Sequence, residues 1–293
     1  LGPQVPVQPP EALPEALDRL GREGRTVLAD PNTASAWILD KMHLAGATLR
    51  RAPDPCVLPK ARKNAVELAG SRAAHARDGV AICRFLAWLA ATAASGRISE
   101  IEAAERLLAF RAELPLFRDL SFDTISAAGP NGAIVHYSAT QETNRLLETG
   151  SLYLIDSGGQ YLDGTTDITR TVAIGRPSHE MRERFTLVLK GHIALATVRF
   201  PRGTTGSQLD SLARLALWQA GLDFEHGTGH GVGSYLSVHE GPQRIAKTPN
   251  AVMLEPGMIL SNEPGYYKTG CYGIRIENLL AVRESTALSE AAR

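Results

Sequence analysis

The stretch His226-Gly-Thr-Gly-His230-Gly-Val-Gly-Ser-Tyr-Leu-Ser-Val-His239-Glu240-Gly241 holds three of the chain's eight histidines. His226 and His230 stand four apart, the spacing of a metal-binding pair on a helix. The glycines between and after them argue against that helix, because glycine costs roughly 1 kcal/mol relative to alanine in a helix interior. They also let the backbone approach whatever His230 holds. A tight, irregular or strand-like path is expected, with each ring aimed at a different part of one cavity.

Carboxylates flank this window. Upstream, Asp156 ends the apolar run Leu152-Tyr-Leu-Ile-Asp156, and Asp167 lies within Thr165-Thr-Asp167-Ile-Thr-Arg170. Folding the chain through Gly158-Gly159 and Asp163-Gly164 would bring both to one face. Either alone reads as a turn cap, although an aspartate amid Thr and Ile in a strand needs a partner for its charge. Downstream, Glu263 follows the apolar run Met258-Ile-Leu260. In Gly273-Ile-Arg275-Ile-Glu277-Asn278, alternation puts Arg275 and Glu277 on one face and the two isoleucines on the other. An isolated pair of that kind is a solvated strand face. Together, however, four carboxylates converging with His230 would repel one another unless protonated or bound to cations. Two divalent cations balance four negative charges, and mostly oxygen ligation favours Mn²⁺, Co²⁺ or Fe²⁺ over a thiolate-bound zinc. Two metals roughly 3.5–4 Å apart acidify a shared water and polarise a carbonyl. That is hydrolytic chemistry.

The rest of the chain supplies the frame. Residues 1–14 are rich in proline and read as a linker. Residues 26–30 suit a short buried strand, Asn32 or Thr33 caps a helix through Ala36, Trp37, Leu39 and Met42, and residues 47–49 suit a second strand. This is the remainder of an α/β domain, with a boundary at Pro53-Asp54-Pro55 and Pro59, so the expected division is 1–57 and 58–293. Residues 60–114 read as helices: Ala65, Leu68, Ala69, Ala73 and Ala76 at helical spacing, then residues 80–95, then a third helix behind a Ser99–Glu102 capping box. Phe85, Trp88 and Leu89 are core residues. Strands are expected at 121–127 and 133–137 around Gly129-Pro-Asn-Gly132, and at 152–156 and 166–174. Helices at 179–198 and 205–220 follow, the second with Leu209, Leu212, Leu215 and Leu217, and then strands at 258–262 and 273–282. The class is α+β, a curved antiparallel sheet covered by helices.

Composition narrows the function. Lys plus Arg and Asp plus Glu each number 31, which gives no electrostatic case for nucleic acid or an anionic membrane. Cys56, Cys83 and Cys271 lack metal-type spacing and read as reduced thiols of a cytosolic protein. Residues 80–95, the most apolar run, are interrupted by Arg84 and too short to span a bilayer. No leader pattern opens the chain. It starts at Leu1 in mid-pattern and its last residues, 287–293, come soon after an apolar strand, so a fragment of a longer protein is expected.

Five ordered motifs then resemble aminopeptidase P, the Xaa-Pro aminopeptidase branch of the pita-bread metallopeptidases. They are Ile155-Asp156-Ser-Gly-Gly-Gln-Tyr, Thr166-Asp167-Ile-Thr-Arg170, Gly227-Thr-Gly-His230-Gly-Val-Gly, Asn262-Glu263-Pro-Gly and Gly273-Ile-Arg-Ile-Glu277-Asn278. The resemblance covers about residues 58–282, and the run from His226 to Pro242 is especially close to the larger, cytosolic type. It implies a pita-bread domain and five ligands for two divalent metals, most often Mn²⁺ with Co²⁺, Fe²⁺ or Zn²⁺ as alternatives: Asp156, Asp167, His230, Glu263 and Glu277. It implies hydrolysis of the bond before a proline at the second position, by a hydroxide bridging the metals. By the same resemblance, Glu263 would take part in proton transfer, His239 would contact the scissile region and steady the tetrahedral intermediate, and His136 and His226 would line the proline pocket. Arg275 matches an arginine close behind the metals. Members carry N-terminal domains that help form dimers, so a cytoplasmic homodimer is expected of the full-length protein, and they continue past the last glutamate.

The competing readings are a prolidase-like dipeptidase, which shares the ligands, and a non-catalytic pita-bread module that binds peptides. The second class typically loses its ligands, and this chain keeps them. Methionine aminopeptidase fits the long helical lead-in and the Val-His239-Glu-Gly-Pro run poorly, and a metal-free creatinase-like hydrolase is disfavoured by the filled ligand positions.

Overall fold

A computed structural model describes residues 4–285, so residues 287–293, which the sequence places after the last strand, lie outside the described residues. The chain divides into two compact units, Leu1–Pro59 and Lys60–Arg293.

The first unit contains α1 (Leu13–Arg22), β1 (Thr26–Ala29), α2 (Ala36–Leu44) and β2 (Thr48–Arg51). The two strands run parallel with Thr26 opposite Thr48, and the helix between them makes the crossover that parallel pairing requires. Leu17, Met42 and Ala47 form its small core. The cap of α2 is Ser35, whose hydroxyl accepts from the Ile38 N–H at 3.3 Å, not Asn32 or Thr33. Those residues are instead drawn into a turn by Asp30, which accepts from the Asn32 N–H at 2.9 Å. Helix α1 is not among the expected elements, and the proline-rich opening leads into it: Pro14 sits in its first turn, where the missing N–H has no helical partner to lose.

After α3 (Val57–Ala61), the second unit has α4 (Ala65–Thr92), α5 (Glu100–Ala112), β3 (Phe117–Leu120), β4 (Ile125–Ala128), β5 (Leu152–Ser157), β6 (Gly159–Tyr161), β7 (Gly164–Thr165) and β8 (Ile168–Ala173). It continues with α6 (His179–Thr197), α7 (Gly206–Trp218), β9 (Gly229–His230), β10 (Arg244–Ile245), β11 (Ile259–Asn262), β12 (Gly265–Lys268), β13 (Tyr272–Arg275) and β14 (Asn278–Ala281).

The two helical segments expected at 65–76 and 80–95 fuse into one helix of 28 residues, α4. No proline interrupts it, and Gly79 between them faces open space. Its start is fixed by Asn64, whose side chain accepts from Val66 and Glu67 N–H groups while the Glu67 carboxylate accepts from the Asn64 N–H. With the turn that follows, it is long and apolar enough to cross a membrane, which the 80–95 run by itself was not. It is nevertheless a core helix. Ala81, Ile82, Phe85 and Leu89 pack with Leu107 and Phe110 of α5 and with Tyr153 and Ile155 of β5. Trp88 lies partly buried against them.

Every strand pair of this unit is antiparallel: β4-β5-β8, β3-β6-β7, β9-β10, β11-β14 and β12-β13. Helices α6 and α7 pack face to face, with Gly191 so close to the Ala213 carbonyl that a Cβ would come within 2.0 Å of it. Three expected strands differ. The one expected at 121–127 begins only at Ile125, as β4. Residues 133–137 form no strand, because Gly129–Ala133 is a 3₁₀ turn and the following loop is held by Glu100, which accepts from Tyr137, Asn131 and the Arg145 N–H. The strand expected at 273–282 breaks at Ile276 and Glu277, whose N–H groups donate to Pro264 and Thr169 carbonyls instead of continuing one ladder. That break positions Glu277.

Candidate metal centre

Asp156 lies near the end of β5, Asp167 between β7 and β8, His230 at the end of β9, Glu263 just after β11 and Glu277 between β13 and β14. All five line one cavity of about 560 Å³, with His136, His226, His239 and Arg275. The alternation expected of 273–277 puts Ile274 and Ile276 into the core, while Arg275 and Glu277 face the cavity. Donor atoms of Asp167, His230 and Glu277 lie within 4.8 Å of one another. His230 Nε2 is 3.4 Å from Asp167 Oδ2 and 3.5 Å from Glu263 Oε1.

Local structure fixes these directions. Gly229 permits a close approach to β11, since a Cβ there would stand 2.1 Å from the Ser261 carbonyl oxygen. The His230 N–H donates to Ser261 Oγ at 2.9 Å, and that hydroxyl donates to Glu263 Oε1 at 3.1 Å. His230 Nδ1 lies 3.0 Å from the Gly231 carbonyl. A proton on Nδ1 makes that hydrogen bond and leaves the Nε2 lone pair turned to the acids. Thr169 Oγ1 donates to Glu277 Oε2 at 2.7 Å. Arg275 donates from Nη2 to Asp156 Oδ2 at 2.7 Å and from Nη1 to the Tyr267 hydroxyl at 2.8 Å. The other Asp156 oxygen, Oδ1, is buried without a hydrogen-bond partner.

The electrostatics follow from crowding. Burial, then the charges of Asp156 and Glu263, push the Asp167 carboxyl well above its ordinary range. Burial, then Asp167 and Asp156, do the same to Glu277. Burial and Glu277 push Glu263 up to about 8. Burial disfavours the Arg275 charge, but Tyr267, Asp156 and Glu263 more than offset it and keep the guanidinium protonated. An unpartnered buried carboxylate oxygen among acids that hold protons they would ordinarily lose is the signature of a site short of positive charge. Oxygen donors with one imidazole suit hard or borderline divalent cations, so the residues present fit such ions.

A polar chain leads away from the acids. Tyr267 accepts from Arg275 and donates to His226 Nε2 at 2.8 Å, while His226 Nδ1 lies 2.8 Å from the Gly227 carbonyl. Burial pushes the Tyr267 hydroxyl up to about 12 and His226 down to about 4, so both are neutral at pH 7. The His239 ring stands edge-on to that of His230, centroids 4.2 Å apart, and burial followed by His230 lowers its pKa. His136 is exposed at the cavity wall beside Phe122, Ile125 and Val135. The sequence reading missed Tyr267, Ser261 and Thr169. Strand alternation signals the last two, each two residues from an acid and on its face. Nothing in the sequence marks Tyr267 apart from other strand aromatics.

Comparison with known proteins gives this arrangement a family. Metallopeptidase family M24 matches residues 69–284. A Laccaria bicolor protein named "Probable Xaa-Pro aminopeptidase P" is 48% identical over 96% of this chain and 44% of its own length. Aminopeptidase P1 of Lotus japonicus is 46% identical over 88% of this chain and 42% of its own. The chain thus spans less than half the length of these relatives. Among solved structures, X-prolyl aminopeptidase from Caenorhabditis elegans, described as a cytosolic enzyme with a di-nuclear active site, has a TM-score of 0.87 at 39% identity, covering 98% of this chain and 47% of that one. An Xaa-Pro dipeptidase from Bacillus anthracis has a TM-score of 0.80 at 28% identity, covering 92% and 74%. With its helices, antiparallel strands and clustered acids, the chain belongs to metallopeptidase family M24 and has that family's pita-bread fold.

Proposed function

We propose that this chain carries the catalytic domain of a metal-dependent aminopeptidase that releases an N-terminal residue preceding proline. The observation that carries this reading is the convergence of Asp156, Asp167, His230, Glu263 and Glu277 on one cavity, with too little positive charge among them. The aminopeptidase P relatives support the proline preference. The five residues would hold two divalent cations, Mn²⁺ first and Co²⁺, Fe²⁺ or Zn²⁺ as alternatives. When bound, such a pair supplies an acidified water and a polarised carbonyl.

The chain's own groups do the remainder. Glu263, beside His230, takes a proton from the attacking water and passes it to the leaving proline nitrogen. His239 is neutral at pH 7 and offers a ring N–H to the oxyanion that develops on the scissile carbonyl. His136 and His226 stand with Phe122, Ile125 and Val135 around a space suited to a proline ring. A bond to proline has no N–H, so this wall needs no acceptor for one. Arg275 donates to Asp156 Oδ2 at 2.7 Å and orients that carboxylate.

The reading extends to a cytoplasmic protein, supported by the cytosolic description of the nematode structure and by three exposed free cysteines. It extends also to a homodimer in the full-length protein, on the family resemblance, and to residues 1–57 as the end of a preceding domain. The test is metal content together with cleavage of an Xaa-Pro-Xaa tripeptide in Mn²⁺. Release of the first residue alone, with two metals per chain, is the expected result. Hydrolysis confined to Xaa-Pro dipeptides would give the reading to a prolidase, and metal-independent peptide binding would give it to a scaffold.

A further inference from the structure

We propose that Gln160 and Thr165 are positioning residues for His239, which they serve by holding a left-handed turn at Leu236 and Ser237 in the loop that carries it. The inference rests on the aminopeptidase reading for the role of His239 and on geometry for everything else. Residues 231–243 leave β9 and return to β10 as a loop tied at its base, where Glu240 N–H donates to the Gly231 carbonyl at 2.8 Å and Gly231 N–H to the Gln243 carbonyl at 3.1 Å. Lys63, buried, adds a 2.8 Å contact to Glu240 Oε1. At the tip, Leu236 and Ser237 have φ of 63° and 52°. Side-chain-bearing residues rarely adopt that conformation, and it persists only where the surroundings impose it. Burial does not impose it here, because Leu236 is 54% exposed and Ser237 is exposed as well.

The loop's own bond from the Gly233 N–H to the Ser237 carbonyl at 2.9 Å closes the turn, and hydrogen bonds from a distant hairpin hold Leu236 within it. Gln160 and Thr165 face each other across β6 and β7 and are both buried. Gln160 Oε1 accepts from the Leu236 N–H at 3.0 Å and from Thr165 Oγ1 at 2.7 Å, and Thr165 Oγ1 lies 3.2 Å from the Leu236 carbonyl. Both backbone groups of Leu236 are therefore addressed by the hairpin that leads into Asp167. His226 and His230 are each held through Nδ1 by a neighbouring carbonyl. Among the described residues no hydrogen bond reaches the His239 ring, so its placement over His230 is inherited from the loop backbone. Fixing the turn fixes the imidazole.

The test compares Gln160→Ala, the milder Thr165→Val, and Gln160→Glu, which keeps an acceptor oxygen. In the metal-loaded wild-type protein, the Leu236 amide should exchange slowly, and the His230 and His239 rings should be in NMR contact in the zinc form. Gln160→Ala is expected to speed that amide's exchange about tenfold and weaken the ring contact, while amides of β5 and β8 keep their protection. Tripeptide kcat should fall about 10–100-fold with KM little changed, as a displaced catalytic group predicts. Gln160→Glu should recover most of it, and Gln160→Ala should cost nothing further in a His239→Ala background. Unchanged exchange and ring contact, or an equal kcat loss with and without His239, would overturn the proposal. If no form cleaves the tripeptide, the aminopeptidase reading fails by itself, and exchange and ring contact still decide whether the hairpin holds the turn.

Discussion

Asp78 and Asp210 are as deeply buried as Asp167 and Glu277, yet each has its own arginine. Asp78 is gripped by Arg111 at 2.7 and 3.0 Å and accepts from the Tyr161 hydroxyl at 2.8 Å. Asp210 is gripped by Arg214 at 2.6 and 3.2 Å and accepts from Thr228 at 2.6 Å. Arg214 also donates to the Phe224 and His226 carbonyls, which pins the approach to the histidine window. In the cavity four acids share Arg275, and that arginine is committed to Asp156. Burial works against the charge of Asp78, but Arg111 outweighs it and holds the carboxyl below its ordinary range. Burial acts the same way on Asp167, and there the neighbouring acids add to it. The same low dielectric therefore gives opposite proton affinities, according to whether the chain supplies the counter-charge. Where it does not, a cation from outside completes the site.

The sharpest way to break this contrast is to empty the cation site. Asp156→Ala should remove the pair of metals and lower tripeptide turnover by more than about 100-fold, beyond the loss typical of an outer partner. Near-normal turnover with one metal bound would refute the ligand assignment. In the paired cluster, Arg111→Ala leaves the Asp78 carboxylate buried without its counter-charge, with the Tyr161 hydroxyl still donating to it. Denaturant unfolding should record a loss of about 3–5 kcal/mol, with metal stoichiometry unchanged in the folded protein. A loss near zero would mean that the pair is not the closed unit its geometry describes.

The two clusters should also answer pH with opposite signs. Glu263 has its folded pKa raised to about 8 in the cation-free protein. Its contribution is present in full below the unfolded value, about 4.3, and is lost as pH rises through about 8. Asp78 has a lowered folded pKa, so its contribution is present above about 3.9 and is lost as pH falls. Cation-free protein should therefore lose stability from pH 5 to 8, by at most about 1.4 kcal/mol per pH unit for each proton involved, and its melting temperature should fall accordingly. Saturating Mn²⁺ should flatten that slope by taking the protons' place. A cation-free melting curve flat over that range would count against the crowding.

Much of this was legible. The glycines around His230 argued against a helix from the sequence alone, and alternation placed Arg275 and Glu277 on one face. The Ser99–Glu102 capping box and both late helices follow local rules, and they form within a residue or two of the expected ends. What was not legible depended on contacts between distant segments. The strand through 273–282 breaks because Pro264 and Thr169 carbonyls claim two N–H groups, and residues 133–137 are bent by a glutamate of α5. Tyr267 and Gln160 carry no polarity pattern. Their roles come from an arginine 8 residues away and an amide 76 residues away.

The smallest effect is the most diagnostic. Asp167→Asn removes one of the crowded charges and keeps the shape. At pH 9, above the raised value of about 8 for Glu263, the substitution should stabilise the cation-free protein by about 1 kcal/mol, the scale of one pKa unit. Toward pH 5, as burial and the neighbouring acids favour the protonated Asp167 carboxyl, the amide increasingly replaces a neutral acid and the gain should shrink. Asp78→Asn should destabilise at both values, because Arg111 loses the charge it faces. Thermal melts of the two variants with and without Mn²⁺ make the comparison. Asp167→Asn should also abolish the rise in melting temperature that Mn²⁺ gives the wild type, since ligand-induced stabilisation requires binding to the folded state. If Asp167→Asn instead lowers cation-free stability at pH 9, its carboxylate is already neutralised by the chain, and the shortage of positive charge would lie elsewhere in the cavity.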